Sequence, residues 1–346
     1  MVKVLVVDDS AFARSRIVKV LSQSPGLQVV GQAVDGADAI RQTKELQPDV
    51  VTLDVEMPVL DGLKALEQMM RECPTPVVMV SSLTGPQTDA TIASLELGAV
   101  DFFLKPSIAL PAGTGVTQSD LSKTVMNAAT VKVHRLNGKT PQARTTVTLA
   151  PNTRRARPGT IDQVVLIGSS TGGPRALAEV IPRLPGDLPA AVMVVQHMPA
   201  GFTKSLADRL NRSSALQVSE AVQGDRIGAG KVLLAPGGFH MIVDRDGKIS
   251  LNEGPPVCGV RPSVDVTALS AVEAFGKNMK AMILTGMGSD GTNGAAAIKA
   301  AGGEVSVEHE STCAVYGMPR SVIEAGWADD VVPLGECAGQ IVKMCS

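Results

Sequence analysis

The chain is poor in aromatic residues, with one Trp, one Tyr and six Phe among 346 residues. Its cores must therefore be assembled from Val, Ile, Leu, Met and Ala, and a hydrophobic content of 44% is ample for two of them. Cysteine is scarce too: Cys73, Cys258, Cys313, Cys337 and Cys345 are odd in number and widely scattered. No metal-like pair spacing occurs among them, so reduced thiols in a cytoplasm are the plain expectation. No apolar run reaches the ~18 residues of a membrane-spanning helix. The opening "MVKVLVVDDS" has a strand and acids where a signal peptide would be basic and then apolar. Neither export nor membrane insertion is expected. Charge of one sign is also missing, and a net charge of −2 argues against a nucleic-acid or anionic-membrane surface spread over the protein.

What the chain does have is alternation. "KVLVVD", "VVGQAV", "DVVTLDV", "PVVMVSS" and "DFFLKP" are short apolar runs separated by amphipathic helical patterns. Such runs indicate a parallel sheet covered on both faces. "SDLSKTVMNAATVKVHRL" (119 to 136) reads as one more helix with Ser119 as N-cap. Residues 137 to 160 are rich in Thr, Pro, Asn and Arg and carry no apolar period, which marks a linker. From 107 to 160 there are eight Lys or Arg and one acid, Asp120, so this stretch is either solvated linker or a basic docking patch. The alternation resumes at 163 with "QVVLIG", "AAVMVVQ", "KVLLAP", "KAMILTG" and "EVSVE"; "HMIVDRDGKISL" reads as a hairpin turning at Asp246-Gly247. The predicted fold class is α/β, with two doubly wound parallel-sheet domains.

In open parallel sheets, sites form beyond the carboxyl ends of the strands. There the first half places Asp8 and Asp9, then Asp54, then Ser81 and Ser82, then Lys105-Pro106. Converging carboxylates repel one another unless a cation sits among them, and hard oxygen donors suit Mg²⁺. A lysine and a hydroxyl aimed at the same point suggest an incoming phosphoryl group, with Asp54 as the carboxylate nucleophile. Taken in order around "LDVEMPVLDG", these residues make residues 1 to about 125 resemble a response-regulator receiver domain, which has a flavodoxin-like fold. The resemblance implies that Asp54 accepts phosphate from a histidine kinase and that Asp8 and Asp9 form the acidic pocket. It also implies that the Glu56 backbone carbonyl completes the Mg²⁺ shell, that Ser81 is the switch hydroxyl and that Lys105 contacts the phosphate. Phe102 falls where the family often has a switch aromatic.

The second half lacks that set. "GSSTG" at 168 to 172 fits G-x-S-x-G, a strand-to-helix elbow. By itself the motif leaves three readings open: nucleophile, phosphate cradle, or plain turn. A serine nucleophile needs a base, and the chain has four histidines, His134, His197, His240 and His309. His197 ends "AAVMVVQHMP", past an apolar strand at the same sheet edge as Ser170; His240 and His309 lie in or beside strands, where a structural histidine is normal. Asp290, in "KAMILTGMGSDGTNG", follows another strand and supplies a carboxylate to orient the base. The order Ser, His, Asp differs from that of the α/β-hydrolases, so the elbow does not import that family. A rival is dinucleotide binding, because "GMGSDG" fits G-x-G-x-x-G and Glu308 stands near the ribose distance. It suffers from a late position in the domain and from an aspartate beside the pyrophosphate.

"IGSSTGGP", "VVQHMPAGFTKSLADRL", "LLAPGGFHM", "RPSVDV" and "TGMGSDG" are similar to the CheB-type methylesterase domain, a Rossmann-like fold, over about 160 to 346. With the receiver, the whole chain resembles the chemotaxis methylesterase family. The resemblance implies domains at 1–125 and 161–346 with a linker at 126–160. It implies a cytoplasmic enzyme that hydrolyses glutamate γ-methyl esters of chemoreceptors and deamidates receptor glutamines, with no cofactor in the second domain. Ser170, His197 and Asp290 would form the triad; Thr171 would lie near the active site, and Met287 would be linked to the oxyanion hole. A receiver-controlled binding module with an inactive second domain, and an esterase acting on another substrate, stay open.

Overall fold

A computed structural model describes residues 1–81, 85–105, 118–131, 133 and 163–346. The chain divides into two compact units, Met1–Gln142 and Ala143–Ser346. Ser82, Pro106, His134 and nearly all of the expected linker lie outside the described residues.

In the first unit the order is β1 (Val2–Val7), α1 (Ala11–Ser22), β2 (Leu27–Ala33), α2 (Gly36–Leu46) and β3 (Val50–Asp54). It continues with α3 (Gly62–Glu72), β4 (Val77–Ser81), α4 (Gly85–Glu96), β5 (Asp101–Leu104) and α5 (Gln118–Ala128). The sheet runs β2-β1-β3-β4-β5, parallel throughout. Chain direction along the sheet reverses between β1 and β3, so Asp8 and Asp54 flank a topological switch point. The helix expected to reach Leu136 stops sooner: Ala128 closes α5, and Val131 and Val133 are not helical. The helix also begins at Gln118, so Ser119 lies inside it and is not its N-cap.

The second unit runs β6 (Val164–Ser169), α6 (Gly173–Val180), β7 (Ala191–Gln196), α7 (Phe202–Ser213), β8 (Gln217–Glu220) and β9 (Lys231–Leu234). A hairpin follows, β10 (His240–Val243) and β11 (Ile249–Asn252), then α8 (Val264–Phe275), β12 (Met279–Ile283) and α9 (Thr292–Ala300). β13 (Glu304–Glu308), α10 (Met318–Glu324), β14 (Asp330–Val332) and α11 (Leu334–Met344) complete it. The sheet order is β14-β13-β12-β6-β7-β9-β8, all parallel, and the hairpin stands apart from it. β6, β7 and β12 are buried along their whole length, as strands with helices on both faces must be. The switch point here lies between β6 and β12, the strands that precede Ser170 and Asp290.

Candidate active site and acid pocket

In the first unit, Asp8 follows β1, Asp54 ends β3, Ser81 ends β4 and Lys105 follows β5. Lys105 Nζ reaches Asp54 Oδ2 at 2.7 Å and Asp8 Oδ2 at 2.9 Å. Asp54 Oδ1 accepts the Val55 N–H at 2.8 Å, and Thr91 Oγ1 donates to Ser81 Oγ at 2.8 Å. Burial raises the Asp54 carboxyl from 3.8 to about 6, against the opposing pull of Lys105 and with some help from Asp8. The Lys105 ammonium is penalised by burial, yet Asp54 and Asp8 hold it above its ordinary value. Asp8, Asp9 and Asp54 each bring an oxygen within 4.8 Å of the others. Three carboxylates outnumber the two nearby cations, Lys105 and Arg14, whose guanidinium donates to Asp8 O at 2.7 Å, and the donors are hard oxygens; the residues fit a divalent cation such as Mg²⁺. Glu56 is exposed two residues beyond Asp54, and Phe102 is half-buried in β5.

In the second unit, β6 and β7 pair with Ser169 opposite Gln196, so Ser170 and His197 are the next residues of adjacent strands. The register is fastened at that point. The His197 N–H donates to Ser169 O at 3.0 Å, and Ser169 Oγ donates to Gln196 Oε1 at 2.7 Å. Gln196 Nε2 spans Ser170 O at 2.9 Å and His197 O at 3.0 Å. Ser169 is thus fully buried and engaged, whereas Ser170 is half-buried. Gly173 is required by this packing, because a Cβ there would stand 2.0 Å from Gln196 Oε1. A Cβ on Gly286 would come within 2.8 Å of Ser170 Cβ, so the turn after β12 lies directly against the serine.

His197 Nε2 and Asp290 Oδ2 are 2.7 Å apart, with both side chains at least nine-tenths buried. Asp290 also accepts Ser263 Oγ at 2.8 Å and the N–H groups of Val264 and Asp265 at 2.6 and 3.1 Å. Burial alone would raise this carboxyl, but His197 and the start of α8 outweigh it and hold Asp290 below its ordinary value. No hydrogen bond joins Ser170 Oγ to His197 among the described residues, as is common before substrate closes such a contact. Thr171 is half-buried beside Ser170, and Met287 is 48% exposed.

Sequence reasoning missed the residues that tie these turns together. Thr285 O accepts the Ser170 N–H at 3.0 Å, and Thr285 Oγ1 donates to Thr171 O at 3.0 Å. Glu308 Oε2 accepts the Thr285 N–H at 2.8 Å, and Glu308 is fully buried, which rules out the ribose contact of a dinucleotide site. Burial pushes the Glu308 carboxyl up. The other histidines described have structural partners: His240 Nε2 faces Pro255 O at 3.1 Å, and His309 Nδ1 faces Ser311 Oγ at 2.8 Å. A polar residue ending an apolar strand was the available signal for Gln196 and Glu308.

Two parallel-sheet units, one with an acid pocket and one with a serine, a histidine and an aspartate at its switch point, define a two-domain α/β protein of the response-regulator class. Comparison with known proteins makes the class specific. The CheB methylesterase family model matches residues 165–341, and the response regulator receiver domain model matches 4–110. A protein-glutamate methylesterase/protein-glutamine glutaminase of Symbiobacterium thermophilum is 49% identical, over 99% of this chain and 96% of the relative. One of the same name from Archaeoglobus fulgidus is 46% identical, over 99% and 97%. The crystal structure of the Thermotoga maritima CheB methylesterase catalytic domain covers 54% of this chain and all of its own, with 47% identity and a TM-score of 0.52. The chain belongs to the CheB methylesterase family, in its form joined to a receiver domain.

Proposed function

We propose that the protein hydrolyses glutamate γ-methyl esters on chemoreceptors, releasing methanol, and deamidates receptor glutamines, under control of phosphorylation at Asp54. The observation that carries the chemistry is the bonded His197–Asp290 pair beside Ser170 at one sheet edge. With Nε2 engaged by Asp290, His197 Nδ1 takes the proton as Ser170 Oγ attacks the side-chain carbonyl. Asp290 stabilises the imidazolium that results. Thr171 and Met287, on the two turns that meet at Ser170, are the candidates for holding the oxyanion. The tetrahedral centre collapses, and His197 returns the proton to the departing methoxide, or to the departing amide nitrogen, which leaves as ammonia, when the substrate is glutamine. Water, deprotonated by the same imidazole, then cleaves the glutamyl ester and restores Ser170.

We assign the receiver to 1–125, the linker to 126–160 and the catalytic domain to 161–346. Asp54 is the phosphoryl acceptor, from a histidine kinase. Mg²⁺, held by Asp8, Asp9, Asp54 and the Glu56 carbonyl, would neutralise charge as the phosphoryl group arrives. Ser81 and Lys105 then close on the phosphate and bias the receiver surface between two states. The free, unpaired cysteines suit a cytoplasmic setting, and no described helix is long and apolar enough to cross a membrane. The test is methanol release from a methylated receptor by the full chain, with and without a small phosphodonor and Mg²⁺, beside Asp54→Ala. The donor should accelerate the wild type alone. Equal rates in every arm would refute the regulatory reading, and no methanol in any arm would refute the esterase.

A further inference from the structure

The start of α8 and the start of α9 cap each other through two aspartates. Asp290, just ahead of α9, accepts the N–H groups of Val264 and Asp265 and the Ser263 hydroxyl at the start of α8. Asp265, in the first turn of α8, returns the contact: its Oδ1 accepts the N–H groups of Gly291 at 2.9 Å and Gly294 at 2.7 Å. Its Oδ2 accepts Asn293 Nδ2 at 3.0 Å. Asp265 is 2% exposed and belongs to no step of the reaction above. We propose that Asp265 is the positioning residue of this site, fixing the turn at 286–291 so that Asp290 presents Oδ2 to His197.

The inference rests on the Ser170–His197–Asp290 reading. Three of the bonds that Asp265 makes are to backbone or side chain within four residues of Asp290, and its own N–H is a fourth, made to Asp290 itself. Two helix ends direct their N–H dipoles into the pair, which offsets the repulsion between two buried carboxylates. Cys258 Sγ also comes within 4.8 Å of oxygens of both aspartates. The oxygens of both carboxylates accept those hydrogen bonds. Burial, and then the neighbouring Asp290, raise the Asp265 carboxyl, whereas Asp290 is held low.

The test is steady-state methanol release from a methylated receptor by full-length Asp265→Ala and Asp265→Asn, at a temperature well below the melting midpoint of each. A triad acid displaced by an ångström costs about 10²-fold in rate, so Asp265→Ala should lose about 10²-fold in kcat. KM should stay within about twofold, because substrate binding is not what was removed. Asn keeps an acceptor for Gly291 and Gly294, and should recover kcat to within about tenfold of wild type. In an Asp290→Ala background, Asp265→Ala should lower the melting midpoint as before yet leave the residual kcat unchanged. A wild-type kcat in Asp265→Ala, or the same fractional loss in both backgrounds, would reduce Asp265 to a helix cap and overturn the inference alone. A wild-type chain that releases no methanol would overturn the triad reading, and this inference with it.

Discussion

Asp54 lies 5% exposed between Asp8 and Lys105, and burial lifts its carboxyl from 3.8 to about 6. The folded chain therefore keeps the Asp54 proton over a pH range in which the unfolded chain has released it. Stability from this group is complete below about pH 4 and is lost as pH rises through about 6. A separation of about two pH decades corresponds to at most ~3 kcal/mol. Asp54→Asn abolishes the titration while keeping an acceptor for Lys105. Urea titrations from acid to neutral pH in the presence of chelator, followed by hydrogen exchange within residues 1–81, read the first unit separately. The wild type should lose up to ~3 kcal/mol relative to Asp54→Asn across this range, and then run parallel to it. Excess Mg²⁺ should recover the loss, because a cation that binds only the native pocket stabilises it by mass action. Parallel curves at every pH would refute a costly buried carboxylate, and an undiminished Mg²⁺ effect in Asp54→Asn would remove that residue from the cation's ligands.

His197→Ala and Asp290→Ala should each cut turnover by orders of magnitude, with the double variant little worse than His197→Ala; additive losses would give Asp290 a separate role. Glu308→Gln keeps the acceptor for the Thr285 N–H and removes a buried carboxyl that is pushed up from 4.5. Wild type should therefore lose stability relative to this variant as pH rises above about 4.5 in thermal melts, and coincident curves would count against a buried charge. Gly173→Ala puts a methyl 2.0 Å from Gln196 Oε1 and should displace the turn that carries Ser170, lowering both kcat and melting midpoint; an unaffected kcat would contradict that packing.

The parallel-sheet class and the identity of the central strands were largely legible because the buried strands are nearly uninterrupted Val, Ile, Leu and Met. β8 and β14 were missed: "QVSE" and "DVV" are short edge strands, and partly exposed edges lack the apolar run that marks a central one. Ser170, His197 and Asp290 each follow a buried strand and carry chemistry-bearing side chains, so they stood out. Asp265 and Thr285 did not, and Glu308 stood out only as a candidate ribose ligand, not as the acceptor for Thr285. Asp265 reads as an ordinary acid in a helix's first turn, and only folding brings it against residues 291 to 294. Thr285 acts as a hub through contacts with Thr171, Val315 and Glu308, which are far from it in sequence. A periodicity reports which face of an element is buried, but it carries no information about which polar groups meet across a switch point.

The central claim is that Ser170, and not its buried neighbour, is the nucleophile. Methanol release from a methylated receptor by wild type, Ser170→Ala and Ser169→Ala tests it most directly. Ser169 Oγ is already committed to Gln196 and its side chain is fully buried, so Ser169→Ala should keep most of the activity. Ser170→Ala should fall by on the order of 10⁶. An active Ser170→Ala, or a dead Ser169→Ala beside it, would contradict the account.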